Sequence, residues 1–115
     1  NLIGVADALP VVTLDPNLEQ VITDVVQHSE RNGTLVIDPA LAEELFSALK
    51  EESRKVEESG KPAVLVISPT IRPWLSRVAR QRIPGLTVLS YTEIPEDQDI
   101  NVVSTINIEK EGTKS

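Results

Sequence analysis

The apolar positions of this chain change rhythm along its length, and the changes mark out its elements. Residues 10–14 (PVVTL) are β-branched and few, which predicts a short strand. Leu18, Val21, Ile22, Val25 and Val26 then recur at three- and four-residue spacing, the stripe of a helix from Pro16 to about Ser29. Arg31, Asn32 and Gly33 end it, Gly33 being suited to a left-handed cap. Residues 34–37 (TLVI) read as a further short strand. Leu41, Leu45, Phe46 and Leu49 give a second helix its apolar face, with Glu43, Glu44, Lys50, Glu51 and Glu52 towards water, until Gly60 and Pro62 stop it after about Ser59. Residues 63–67 (AVLVI) are apolar throughout, the pattern of a strand buried on both faces of a parallel sheet. Trp74, Leu75, Val78 and Ile83 form the inner side of a third helix, closed by Pro84 and Gly85. A strand over 86–91 (LTVLSY), a loop over 94–98 and an alternating strand over 100–108 complete the chain.

This order predicts an α/β fold: a small, mostly parallel sheet of three or four strands with helices on both faces. The last strand follows a loop rather than a helix, so an antiparallel pairing is open to it. Residues 1–9 are expected to be an exit segment from a preceding domain, 10–108 the α/β domain, and 109–115 a disordered tail.

Three apolar runs stop at an X-Pro pair: Asp15-Pro16, Asp38-Pro39 and Ser68-Pro69. Each stands where a helix begins. A carboxylate or hydroxyl there accepts from the unpartnered N–H groups of the first turn, and proline supplies a helical φ while lacking only an N–H that had no acceptor. Helix capping accounts for both residues of each pair, so Asp15, Asp38 and Ser68 are read as structural. Pro73 complicates the third helix: it follows Pro69 by four residues, so the helix either begins later, near Thr70, or has a distorted first turn.

Composition narrows the chemistry. With one Trp, one Tyr and one Phe, the core must be aliphatic. The absence of Cys excludes disulfides and thiolate chemistry, and a single histidine, His28, argues against a multi-histidine metal site. No cofactor is expected, and no catalytic residue is assigned. His28, near the end of the first helix, suits the helix dipole as a surface residue. No apolar run reaches the ~20 residues of a membrane span. The chain begins without Met, so a piece of a longer protein is expected, with any membrane segment upstream.

Charge changes the picture most. The net charge is −7, yet residues 68–92 hold Arg72, Arg77, Arg80 and Arg82 and no acid, which leaves −11 on the remainder. Such a balance disfavours nucleic acid as a partner. The arginine helix is either a solvated face or a docking surface for an acidic partner. The acidic stretch with Glu93, Glu96 and Asp97 is either a solvated loop or a partner for arginines of a neighbouring copy, which would build a ring or filament. An alternative of another class is a phosphate- or nucleotide-binding or phosphotransfer domain, acting at the sheet rim near Asp15 and Ser68. No Gly-rich phosphate loop accompanies it.

The segments ALPVVTLDPNLEQVI, LVIDPALAEEL, PAVLVISPTIRPWLSRVARQRIPGLTVLSYTEIP and INVVSTINI, in this order and spacing, resemble the C-terminal cytoplasmic region of the large export-gate protein of bacterial type III secretion. This is the FlhA family, and TLDP and SYTEIP look more like its flagellar branch than its virulence branch. The resemblance covers roughly residues 8–108. It implies the last subdomain of a membrane-anchored protein, at the cytoplasmic face of the bacterial inner membrane. It also implies a non-enzymatic role. The partners implied are export substrates and their chaperones, export ATPase components, the substrate-specificity switch protein and other copies in a ring. Any such contact is expected on Arg72, Arg77, Arg80 and Arg82 and on the loop from Glu93 to Asp99, a placement that follows from charge.

Overall fold

A computed structural model describes residues 8–33 and 37–108. The elements are β1 (Leu9–Leu14), α1 (Pro16–Asn32), α2 (Pro39–Glu58), β2 (Val64–Ile67), α3 (Arg72–Arg82), β3 (Thr87–Ser90), a 3-10 turn (Tyr91–Glu93) and β4 (Ile100–Ile106). The four strands form one sheet in the order β3-β2-β1-β4, every pair parallel. β4 therefore pairs with β1 in parallel, and the antiparallel option is not taken. Of the short strand read over 34–37, residues 34–36 lie outside the described part, and Ile37 is not in a strand. The segments 1–7 and 109–115 also lie outside it. Leu9, assigned to the exit segment, is the first residue of β1, hydrogen-bonded through its N–H to the Asp99 carbonyl at 2.9 Å.

The core lies mainly on one side of the sheet. Val12 and Leu14 of β1, Leu65 and Ile67 of β2, Val88 of β3 and Ile106 of β4 join one buried cluster with residues of all three helices. The helices supply Leu18, Ile22 and Val26, then Leu45, Phe46, Leu49 and Val56, then Leu75 and Ala79. The opposite face holds a smaller cluster of Val11, Val64 and Val66, against which Leu9, Leu89 and Ile94 pack. No described helix contributes to it. The helices thus gather on one face, where the sequence predicted them on both.

Connection handedness explains this. From β1 to β2 to β3 the chain steps in one direction across the sheet, so right-handed crossovers put α1, α2 and α3 on the same side. The return from β3 to β4 runs the other way, and the same handedness requires the opposite face. Residues 91–99 make that return without an α-helix, and Ile94 lays its side chain over the second cluster.

Local chemistry sets the element ends. The Asp15 carboxylate accepts from the Asn17 N–H at 3.0 Å, and that of Asp38 from the Ala40 N–H at 3.2 Å. Gly33, with φ 77°, takes the left-handed position that closes α1. The inner stripe of α1 is narrower than its periodicity suggests: Leu18, Ile22 and Val26 are buried, but Val21 is 48% exposed. α3 begins at Arg72, so Pro73 stands in its first turn, where the missing N–H costs nothing. Ser68 lies before that helix. Its hydroxyl accepts from the Thr70 N–H at 3.1 Å, capping the entry turn, and the helix's own N-cap, Ile71, makes no side-chain cap.

Candidate functional site: the strand-end rim and the arginine helix

In an all-parallel sheet the carboxyl ends of the strands share one rim, where ligands of α/β proteins commonly bind. Here the rim's backbone donors meet the chain's own carboxylates. Glu19, in the first turn of α1, accepts the Ser68 N–H beyond β2 at 2.6 Å. Glu93 accepts the Ser90 N–H at the end of β3 at 2.8 Å, and its Oε1 also receives the Arg72 Nε at 2.8 Å. Asp15 adds a third carboxylate, bonded to its own helix. The rim is acidic and its Ser68 and Ser90 N–H donors are taken, which is the opposite of what a phosphate needs. Asp15 and Ser68 lie on this rim, but the side chain of each bonds within its own turn. The rim's Glu19 was missed by sequence reasoning. Its partner is 49 residues away, and no local pattern announces such a bond.

The Ser90 N–H first, and the Arg72 guanidinium second, hold the Glu93 carboxyl below the ordinary glutamate range. A carboxylate whose folded pKa is depressed stabilises the fold above its unfolded pKa and loses that contribution as pH falls through the folded value. In an acid titration followed by NMR, the Glu93 carboxyl and the Ser90 amide should share a midpoint below the ordinary glutamate value. Arg72→Gln should raise that midpoint towards the ordinary value. A midpoint at or above it in the parent protein would rule out the clamp.

The four arginines of α3 divide into two kinds. Arg72 is paired with Glu93, as described. Arg82 reaches Glu43 on α2 at 3.1 Å and lies over the Phe46 ring, 4.7 Å from its centroid. Phe46 also meets Trp74, with ring centroids 6.4 Å apart, so Trp74 is half-buried packing rather than a protruding anchor. Arg77 and Arg80 are exposed, and among the described residues neither has a carboxylate partner. Of the acidic candidates, Glu93 is the one in contact with an arginine. Glu96 and Asp97 are exposed on the return loop.

Two open concavities accompany these residues. One lies along α1 around Asp24, Gln27, His28 and Arg31. The other, of about 390 Å³, runs between α3 and β3 and is lined by Arg72, Ser76 and Arg80 on one side and residues 84–89 on the other. Among the described residues no three His, Asp or Glu side chains converge as a metal would require, and no helix is long and apolar enough to cross a membrane.

Comparison with known proteins places this geometry in company. Residues 1–99 match the FHIPEP family. The chain is similar to flagellar biosynthesis protein FlhA of Buchnera aphidicola, 36% identical over 98 residues, which is 85% of this chain and 14% of that protein. It is similar to FlhA of Escherichia coli K12 at 33% identity over 100 residues, covering 87% of this chain and 14% of the relative. The chain therefore spans about one-seventh of the length of these relatives. Among solved structures it resembles the Shigella flexneri MxiA protein, with TM-score 0.65 and 31% identity over 90% of this chain and 32% of that one. It also shares its fold with a nonameric SctV-C of EPEC, with TM-score 0.66 and 16% identity over 89% of this chain and 30% of the other.

Proposed function

The chain belongs to the FHIPEP family, which includes the FlhA flagellar proteins, and from that premise we propose that it is the terminal cytoplasmic subdomain of a flagellar type III export gate. It acts as a non-enzymatic interaction module at the cytoplasmic face of the inner membrane, anchored there through a membrane segment outside this chain. Its work is to help dock export substrates, their chaperones or export ATPase components, or the substrate-specificity switch protein, and to gate access by moving against neighbouring subdomains. Other copies stand beside it in a ring, as the nonameric assembly of one structural neighbour suggests.

The observation that carries this reading is the division of the arginines. Two of the four are tied into the fold by Glu93 and by Glu43 with Phe46, which leaves Arg77 and Arg80 to point a positive field outward from a chain of net charge −7. Unpaired, exposed arginines in an otherwise acidic molecule steer acidic partners and select against basic ones. The acidified rim argues against the phosphate-binding alternative, because Glu19 and Glu93 occupy the donors an anion would use.

A pull-down from bacterial lysate, with the 115-residue chain as bait beside its Arg77→Glu/Arg80→Glu form, tests the reading. Mass spectrometry should identify export substrates, chaperones or ATPase components with the parent, reduced roughly tenfold or more with the variant. Both exchanged side chains are exposed, so the variant should keep its melting temperature. Equal recovery by both baits would move the docking surface away from α3. Recovery of no export component by either would sink the reading for this subdomain alone.

A further inference from the structure

The groove between α3 and β3 has the form of a strand-addition site. β3 is an edge strand, paired with β2 on one side and open on the other. The Thr87 N–H donates to the Ala63 carbonyl at 3.0 Å, which fixes the parity of the strand. Thr87 and Leu89 direct their backbone groups to β2, and Val88 directs its N–H and C=O to the open edge. The neighbouring edge donors are engaged: the Leu86 N–H donates to Ile83, and the Ser90 N–H donates to Glu93.

One carboxylate of the chain itself already sits at this edge. At its carboxyl end a carboxylate, that of Glu93, sits between an edge N–H and an arginine of α3. α3 runs back alongside β3, as a right-handed crossover requires, so residues 72, 76 and 80 step past Ser90, Val88 and Leu86 in turn. Four helical residues advance about 6 Å, and two strand residues about 6.6 Å, so the two rows stay level. Arg80 thus repeats, one groove length away, the position Arg72 holds against Glu93, but without an acid of its own among the described residues. Ser76 between them is small and leaves the groove passable.

We propose that this groove binds an acidic segment of a partner protein in extended conformation, added to β3 as a further strand. Its backbone pairs with Val88 and one of its carboxylates meets Arg80. The inference rests on the docking role given above and names both the surface and the partner's chemistry. Backbone pairing supplies affinity, as in other strand-addition sites, and the arginine supplies selectivity. The exposed apolar edge of β4, where Ile100, Val102 and Val103 are 44%, 51% and 47% exposed, offers no arginine and lies beside the acidic residues of the return loop. It does not fit the same ligand.

The test uses the 115-residue chain and a synthetic, acetylated seven-residue peptide alternating glutamate with valine or threonine. Binding is followed by NMR titration of the backbone amides and by fluorescence anisotropy. Val88 and its edge neighbours should shift most. A peptide with lysine in place of glutamate, and one N-methylated at alternate residues so that it cannot pair as a strand, should each bind at least about tenfold more weakly. Arg80→Glu should lose binding to a similar degree, whereas Arg77→Glu, the same charge change on the outer side of the same helix, should lose only a few-fold. Equal loss in the two variants, or undiminished binding of the N-methylated peptide, would show diffuse electrostatic attraction and overturn the proposal. It would leave the docking role standing if the pull-down succeeds. Binding of neither acidic peptide, with the pull-down intact, would reject the strand-addition groove alone.

Discussion

Leu65→Ala should be the most damaging single truncation in the sheet, costing about 3–5 kcal/mol. Leu65 is fully buried at the centre of β2, in register with Val12 of β1 on one side and Val88 of β3 on the other. Its side chain enters the cluster shared by all three helices, so removing it opens a cavity that several packed elements must collapse to fill. A loss of that size is a large part of the stability of a domain this long, where 5–15 kcal/mol is usual. Urea denaturation with an unchanged slope would measure it directly. Val66→Ala is the control. Its side chain points to the other face, where three buried valines are covered by Leu9, Leu89 and Ile94. The smaller side chain and thinner cover should keep that loss to less than half. Equal losses would mean that the return loop seals its face as tightly as the helices seal theirs.

The second large effect is expected at Glu19. Its carboxylate receives the partly buried Ser68 N–H at 2.6 Å, a charge-assisted bond that ties the start of α1 to the exit of β2. Glu19→Ala leaves that N–H without an acceptor and should cost about 1.5–3 kcal/mol. Glu19→Gln keeps an acceptor oxygen in reach and should restore roughly half. Amide exchange at Ser68 separates this from a general loss of helix stability: the alanine variant should speed exchange there more than in the interior of α1. If denaturation shows a change under about 0.5 kcal/mol, water serves the N–H as well as Glu19 does.

These two sites differ in how far they could be read beforehand. Leu65 stands in a five-residue apolar run between turn residues, and such a run belongs to a strand covered on both sides. Glu19 looks like any acidic residue in the first turn of a helix. What makes it matter is a residue 49 positions on, brought within a hydrogen bond by the crossover from β1 to β2. The arginines teach the same lesson. As a sequence, RPWLSRVARQR is one basic helix with four equivalent charges. Folded, Arg72 finds Glu93 across 21 residues and Arg82 finds Glu43 across 39, and of the four only Arg77 and Arg80 have no carboxylate partner among the described residues.

Helix starts at Pro16 and Pro39, the left-handed end at Gly33, the central apolar strand and the aliphatic core were all decided by the sequence alone. Each depends on interactions within about one turn or on the plain excess of apolar side chains. The later start of α3 was half legible, since Pro73 excludes a helix running unbroken from Pro69 but does not say where it begins. Tertiary structure alone decided the rest. Right-handed connection placed all three α-helices on one face, and a return of residues 91–99, with no α-helix in it, carried β4 to the far edge in parallel. Val21, on the apolar stripe of α1, was left 48% exposed by the sheet and helices of this chain. Carboxylates closed the rim and cancelled two of the four arginine charges. Handedness, sheet width and long-range charge pairing depend on where distant segments meet in space, and the local order of residues does not contain that information.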